Sequence, residues 1–276
     1  MRFPSFQTGE NRLREGMQMK RGLFARAAGM VLMIAVLAGS LIRCSLTAHA
    51  ASETTYSNAA QIAQIVFQGY NGGTYGPITV TKGTWSKGSS SRTVYLVTMS
   101  GTETVSNQTT GYLTDALAGF NLNNKYYSNV VSVIMTNIPV NSNLILAGHS
   151  LGGMVAQQVA ADSRIKTCYN VMNTVCFGSP LLAAGTREGV VKRLGDTSDL
   201  VPYMSGSLIN NTAWAIAGLN RENGGYGLDA YSAHVKSYLR TDEWGKYDVT
   251  GCKYGSAKLT LDLSTLNYYH SSTYVE

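Results

Sequence analysis

Two hydrophobic periodicities alternate along residues 51–276, the three-to-four-residue spacing of helices and the near-continuous apolar runs of buried strands. Helical spacing begins after Ser57, which can cap a helix, and Gly72-Gly73 ends it. A second helix is predicted over 125–137, before Pro139. Each predicted helix has one apolar stripe, formed by Ile62, Ile65, Val66 and Tyr70 in the first and by Tyr127, Val130, Val131 and Ile134 in the second.

Apolar runs bounded by turn residues predict strands between the helical segments. These runs cover 78–80, 93–99, 144–147, 174–177 and 190–194, and Leu259, Leu261 and Leu263 alternate like a further strand. Strands that alternate with helices favour a mainly parallel central sheet with helices on both faces. We therefore expect a single α/β domain over residues 51–276.

The first fifty residues differ from the rest in composition. They contain seven Lys or Arg against two Glu, and they are apolar over 27–41. A basic stretch, a short apolar stretch and the triplet Ala48-His49-Ala50 predict a secretory signal peptide over 1–50, cut near Ala50-Ala51. The apolar part is shorter than the roughly 20 residues that a membrane span needs. The sequence therefore predicts a secreted, extracellular protein.

Loss of this segment changes the charge balance of the chain. Removing its seven basic and two acidic residues from the totals of 22 and 16 leaves 15 basic and 14 acidic residues, which is nearly neutral. A nucleic-acid-binding protein would keep a strong basic excess, so we expect no nucleic acid as a partner. No feature of the sequence predicts a protein partner.

Three cysteines remain after residue 50: Cys168, Cys176 and Cys252. Their odd number and their spacing fit neither a disulfide framework nor a metal site, so structural thiols are predicted, with Cys176 buried in a strand. We expect neither a metal nor an organic cofactor.

The segment 148–153 reads Gly-His-Ser-Leu-Gly-Gly and lies between the apolar run 144–147 and a helical pattern. A G-x-S-x-G sequence in this context is typical of a nucleophile elbow, a sharp strand-to-helix turn that exposes the serine. Gly148 and Gly152 suit the turn because it leaves no space for side chains. Ser150 is therefore the candidate nucleophile, with the dipole of the following helix directed at a developing oxyanion.

A serine nucleophile needs a base, normally a histidine oriented by a carboxylate. His49 lies in the signal peptide, and we expect the side chain of His149 to point away from the reaction partner of Ser150. Of the other two histidines, His270 lies in a C-terminal tail, whereas His234 lies where a loop enters a predicted helix. His234 is the preferred base, and a solvated surface histidine is its simplest alternative role.

The candidate acids Asp196, Asp199 and Asp229 all lie after Ser150 and before His234, in the order that such sites use. Asp199 is preferred because it precedes Leu200-Val201-Pro202, where the proline restricts the direction of the chain. Asp196 and Asp229 are expected to be solvated or to cap turns.

Four segments together resemble the class 3, or fungal-type, lipases. They are Ser100-Gly101-Thr102 after a strand, the elbow, Phe177-Gly178-Ser179-Pro180, and Asp199-Leu200-Val201-Pro202, followed by His234 and Tyr238. The resemblance implies the α/β-hydrolase fold, Ser150 as nucleophile, Asp199 as acid and His234 as base. It also implies that the N–H groups of Thr102 and Leu151 form the oxyanion hole. That family carries its lid after the position of Thr102, where this chain is polar with scattered apolar residues.

The sequence therefore predicts a secreted carboxylic ester hydrolase, a triacylglycerol lipase or esterase that acts through an acyl-enzyme. Its partner is an ester or lipid substrate, with transient contact to a lipid interface as a further expectation. Two alternatives stay open. One is another acyl hydrolase on the same triad, such as a phospholipase, deacetylase or thioesterase. The other is an exported binding protein that keeps the fold without catalysis.

Overall fold

A computed structural model of the chain describes residues 52–102, 125–183, 185–203 and 218–271. The chain divides into a unit Met1–Ala50 and a unit Ala51–Glu276, and all described residues belong to the second. The predicted signal peptide and the polar stretch at the position of the lid lie outside the described residues. No helix within the described ranges is long and apolar enough to cross a membrane.

Nine strands and six α-helices occur in the described residues. The strands are β1 Glu53–Tyr56, β2 Ile78–Lys87, β3 Ser90–Met99, β4 Asn143–His149, β5 Asn170–Phe177, β6 Val190–Asp196, β7 Leu219–Glu222, β8 Lys258–Asp262 and β9 Asn267–Tyr269. The helices are α1 Ala59–Phe67, α2 Lys125–Asn137, α3 Leu151–Ala161, α4 Ser163–Cys168, α5 Ala230–Lys236 and α6 Thr241–Trp244.

The nine strands form one mixed sheet in the order β1-β8-β2-β3-β4-β5-β6-β7, with β9 also paired to β2. The run from β3 to β7 is parallel, whereas β1, β8, β2, β9 and β3 pair antiparallel. The prediction of a mainly parallel sheet is therefore wrong for half of it. The physical reason is that Gly88 (φ 58°) and Ser89 join β2 to β3 directly. A two-residue hairpin can only connect antiparallel strands.

The side chains of the central strands alternate between two buried faces, as strand geometry requires. Leu144 and Leu146 of β4 pack in one core with residues of α2 and α3. Ile145 and Ala147 pack in the other with residues of α1 and of the segment that follows α5. Helices on both faces are confirmed, and both faces of β4 are sealed from water behind the elbow.

The structure corrects the two predicted helices in the capping residue of one and in a buried residue of the other. Asn58, not Ser57, caps α1: its side chain accepts from the N–H of Gln61, whose own side chain accepts from the N–H of Asn58. Helix α2 has the predicted bounds, but Tyr126 is buried in place of Tyr127. The hydroxyl of Tyr127 instead donates to the carboxylate of Asp162.

Helix α3 lies unusually close to the end of β3. A Cβ at Gly152 would overlap the backbone carbonyl of Met99. Only glycine permits this approach, which brings the first turn of α3 next to the strand end that carries Ser100 and Gly101. The close packing sets the relative position of two of the predicted site segments.

Candidate active site

Ser150 occupies the turn between β4 and α3 with a strained backbone. Its φ of 55° and ψ of −123° lie in a region that residues with a side chain rarely adopt, and such strain concentrates at functional sites. A hydrogen bond of 2.9 Å from its N–H to the carbonyl of Phe177 ties the turn to β5. A Cβ at Gly148 would overlap the backbone of Gly152. The strand, sharp turn and helix expected of an elbow are therefore confirmed.

The hydroxyl of Ser150 is not used to hold the helix. Ser150 occupies the N-cap position of α3, where a serine usually accepts a hydrogen bond from the first turn, but here it makes no side-chain cap. The N–H of Leu151 is the first of the helix, and no carbonyl four residues earlier belongs to the helix to accept it. The turn thus presents a half-exposed hydroxyl beside backbone donors.

Asp199 and His234 form a buried pair. Oδ2 of Asp199 lies 2.9 Å from Nδ1 of His234, and the two residues are 0% and 5% exposed. Asp199 follows the end of β6, and His234 lies in the last turn of α5. The preferred acid and base are therefore in contact, and the alternative of a solvated surface histidine does not fit the burial of His234.

Two further donors hold the carboxylate of Asp199. The hydroxyl of Tyr238 donates to Oδ2 at 2.6 Å, and the N–H of Val201 donates to Oδ1 at 2.9 Å. Tyr238 OH also accepts from the N–H of Asp196 at 3.2 Å. Because buried carboxylates need several donors, this set keeps Asp199 in one orientation toward His234.

His149 connects the turn at Ser150 to His234. Its ring centroid lies 4.5 Å from that of His234, and its Nε2 lies 2.9 Å from the backbone oxygen of His234. The expectation that His149 points away from this region is wrong, because the end of α5 packs over β4. In the described residues no hydrogen bond joins the side chain of Ser150 to His234. Such contacts often shorten only when substrate binds.

The strand end at Ser100-Gly101-Thr102 passes over the elbow. A Cβ at Gly101 would lie 2.9 Å from Cβ of Ser150, so this loop and the serine are direct neighbours. The N–H of Gly101 donates to Tyr70 OH at 2.7 Å, and Tyr126 OH donates to the carbonyl of Ser100 at 2.8 Å. Thr102, the next residue, is the last one described before residue 125.

The other candidates lie elsewhere. Asp229 caps α5, where its side chain accepts from the N–H of Ser232 at 2.9 Å, and His270 is exposed. Asp196 accepts from the N–H of Ser198 at 2.7 Å, as a turn-capping role predicts, but it is fully buried and not solvated.

Sequence reasoning missed three polar residues around the site. The helical pattern predicts Tyr70 on an apolar helix face that extends to Gly72-Gly73, but α1 already ends at Phe67. The hydroxyl of Tyr70 contacts Nδ1 of His149 at 2.5 Å. Glu243 is buried beside Asp196, where burial and the neighbouring carboxyl raise its pKa to about 8. Arg193 is buried and donates to the carbonyls of Ser179 and Pro202. No local motif marks any of them, because their partners come from distant segments.

Among the described residues no group of three or more His, Cys, Asp and Glu side chains is placed to hold a metal ion. Comparison of the chain with known protein families, with curated proteins and with solved structures finds no match.

Proposed function

We propose that the chain is a carboxylic ester hydrolase of the α/β-hydrolase type. The observation that carries the proposal is the strained turn at Ser150, whose hydroxyl is not used for capping and whose neighbour His149 contacts the buried Asp199–His234 pair. Strain at one serine and burial of an acid–histidine pair both cost folding free energy, and such costs concentrate at functional sites.

The arrangement of strand ends supports the same fold type. Ser150 follows β4, Asp199 follows β6, and both strands belong to the parallel half of the sheet, so their carboxyl ends meet at one edge. Reactive groups gather at this edge in parallel sheets. The order serine, aspartate, histidine along the chain agrees with α/β-hydrolase sites.

The proposed reaction proceeds through an acyl-enzyme. Ser150 Oγ bonds to the acyl carbon while its proton moves to Nε2 of His234, and Asp199 stabilises the resulting imidazolium. The tetrahedral oxyanion accepts from the N–H groups of Thr102 and Leu151, and its collapse expels the alcohol, which takes the proton from His234. Water then attacks the acyl group, giving its proton to His234. Release of the carboxylic acid returns that proton to Ser150.

The proposed substrates are esters of carboxylic acids, with triacylglycerols as the lipid class implied by the resemblance to class 3 lipases. Secretion and transient contact with a lipid interface belong to the same proposal. The near balance of 15 basic and 14 acidic residues after residue 50 agrees with an uncharged ester as substrate.

Fluorophosphonate labelling tests the proposal directly. We expect a fluorophosphonate probe to label the protein, and peptide mapping to place the label on Ser150. Ser150→Ala should abolish both labelling and hydrolysis of p-nitrophenyl butyrate with an unchanged circular dichroism spectrum. Ser91→Ala, on an exposed position of β3, is the matched control and should keep both. Undiminished ester hydrolysis by Ser150→Ala would contradict the proposal.

The same reagents separate the alternatives. A binding protein without catalysis would not react at Ser150 with the probe. A panel of p-nitrophenyl esters from acetate to palmitate, with a phospholipid, a thioester and an acetylated sugar, would distinguish an esterase or lipase from other acyl hydrolases.

A further inference from the structure

A chain of hydrogen bonds crosses the candidate site behind Ser150. The N–H of Gly101 lies 2.7 Å from Tyr70 OH, and that hydroxyl lies 2.5 Å from Nδ1 of His149. Nε2 of the same ring lies 2.9 Å from the backbone oxygen of His234. This series of hydrogen bonds therefore runs from the loop that precedes Thr102 to the residue proposed as the base.

The direction of each hydrogen bond follows from its two ends. The carbonyl oxygen of His234 can only accept, so Nε2 of His149 must carry a proton. A neutral imidazole has one N–H, which leaves Nδ1 as an acceptor for the proton of Tyr70 OH. The N–H of Gly101 can only donate, and the oxygen of Tyr70 accepts it. Every donor in this series of hydrogen bonds meets an acceptor when His149 carries its proton on Nε2.

The surroundings of His149 keep it neutral. The residue is 2% exposed, and its ring contacts the rings of Phe67 at 4.5 Å and Tyr238 at 5.6 Å. Burial lowers the pKa of His149 well below its usual range, and the neighbouring His234 lowers it further. Because the ring is neutral, the hydrogen bonds keep the same donors and acceptors across the ordinary pH range.

The end of α5 gains a donor that the helix itself does not supply. His234 lies in the last turn of α5, where carbonyl groups have no N–H partner within the helix. His149 supplies that partner from the end of β4, one residue before the proposed nucleophile. The backbone of the proposed base is therefore attached directly to the elbow, independently of the contact between its ring and Asp199.

We propose that Tyr70 and His149 are positioning residues, which hold the backbone of His234 and the Gly101-Thr102 loop in one fixed arrangement around Ser150. This inference rests on the proposed ester hydrolysis. Neither residue exchanges a proton with substrate. They keep the base and an oxyanion donor at the distances that proton transfer and oxyanion binding require, and small displacements there reduce turnover more than ground-state binding.

Two amide variants of His149, each of which mimics one ring nitrogen, separate its two hydrogen bonds. The amide nitrogen of Gln in His149→Gln reaches the position of Nε2 and can still donate to the carbonyl of His234. The amide oxygen of Asn in His149→Asn reaches the position of Nδ1 and can accept only from Tyr70. Both variants lose the aromatic ring, so each controls for the loss of packing in the other.

We expect His149→Asn to lower kcat for p-nitrophenyl butyrate by about 10-fold, and His149→Gln by no more than about 3-fold, with KM within about twofold in both. Tyr70→Phe should lower kcat by about 3- to 10-fold at unchanged KM, because the N–H of Gly101 loses its acceptor. Thermal unfolding compares the stability of the three variants. Equal kcat values for the Asn and Gln variants, whether high or low, would overturn the inference.

Nitrogen-15 NMR of histidine-labelled wild-type protein gives a test that needs no variant to fold. We expect His149 to carry its proton on Nε2 and to stay neutral at pH 7 and above. A proton on Nδ1, or protonation of both nitrogens in this range, would overturn the inference. Fluorophosphonate labelling of the wild type decides the proposed function separately. An unreactive wild type overturns both proposals, whereas a reactive one with identical Asn and Gln variants overturns only this one.

Discussion

Oδ2 of Asp199 and Nδ1 of His234 lie 2.9 Å apart although 35 residues separate them in the chain. The aspartate follows a strand of the parallel half-sheet, and the histidine lies on a short helix that packs over the same edge. A hydrogen bond to a buried carboxylate fixes the proton of the imidazole on Nδ1, so that Nε2 carries the lone pair that the proposed mechanism requires.

Asp199→Asn should therefore impair turnover without unfolding the protein. The asparagine can keep contacts with Val201 and Tyr238, but it no longer stabilises an imidazolium or selects the reactive tautomer of His234. We expect kcat for p-nitrophenyl butyrate to fall by about 10³- to 10⁴-fold. Asp262→Asn, at the partly exposed end of β8 and far from the site along the sheet, is the control. A loss of less than tenfold would remove Asp199 from the proposed mechanism.

Tyr238→Phe should lower both stability and turnover. The lost hydroxyl donates to Asp199 and accepts from the N–H of Asp196, and all these groups are buried. We expect the free energy of unfolding in urea to fall by about 1 to 3 kcal/mol because buried polar groups lose partners. Tyr254→Phe, where the side chain is 80% exposed, should change it by less than about 0.5 kcal/mol. Similar losses in both variants would contradict this role of Tyr238.

Glu243 should make stability fall as the pH rises from about 4.5 to 8. Burial is the main cause that raises its pKa from 4.5 to about 8, and the nearby carboxyl of Asp196 adds to it, against opposing contacts with Ser237 and Arg240. The folded state thus binds a proton that the unfolded chain releases at lower pH. The stabilisation that this proton provides is complete below pH 4.5 and is lost as the pH rises through 8.

Glu243→Gln removes this titration and keeps a group able to donate to Asp196. We expect the variant to be more stable than the wild type at pH 8 by about 2 kcal/mol, with a smaller difference at pH 5. Urea unfolding at both pH values measures it, and Glu53→Gln, on an exposed strand, is the control. A difference that is the same at both pH values would contradict the assignment.

Gly152→Ala should destabilise the protein because its methyl group would overlap the carbonyl of Met99. We expect the free energy of unfolding to fall by roughly 1 to 3 kcal/mol, and hydrolysis to weaken as α3 moves away from β3. Gly185→Ala is the matched control because no atom lies within 4 Å of the added Cβ. An equally mild effect at both glycines would show that the helix can shift at little cost.

Cys176 should resist alkylation in the folded protein. It is fully buried, and burial raises the pKa of its thiol to about 12. Cys168 and Cys252 are partly exposed free thiols. We expect iodoacetamide at pH 8 to modify those two at least 10²-fold faster than Cys176, read by peptide mass spectrometry, and all three alike in urea. Rapid native modification of Cys176 would indicate that β5 opens locally.

The elements nearest the candidate site were predictable because each depends on neighbouring residues. Neighbouring residues determine the conformation of the run 144–147, of the turn with two glycines around Ser150 and of the helix 125–137. The structure confirms this strand, turn and helix. The direction of half of the sheet was not predicted. The hairpin at Gly88 and Ser89 makes β2 antiparallel to β3, whereas the pairing of β8 and β9 with β2 joins distant segments, and residue periodicity contains no information on it.

The sequence by itself determined the elbow at Ser150 and the preference for Asp199 and His234, since glycine spacing and residue order are local properties. Only the tertiary structure decided that Asp199 and His234 touch and that Tyr70 and His149 join them to the loop before Thr102. The reason is that these hydrogen bonds join the end of β4, the segment after α1 and the end of α5. Such contacts arise when helices pack on both faces of the sheet, and no sequence spacing specifies them.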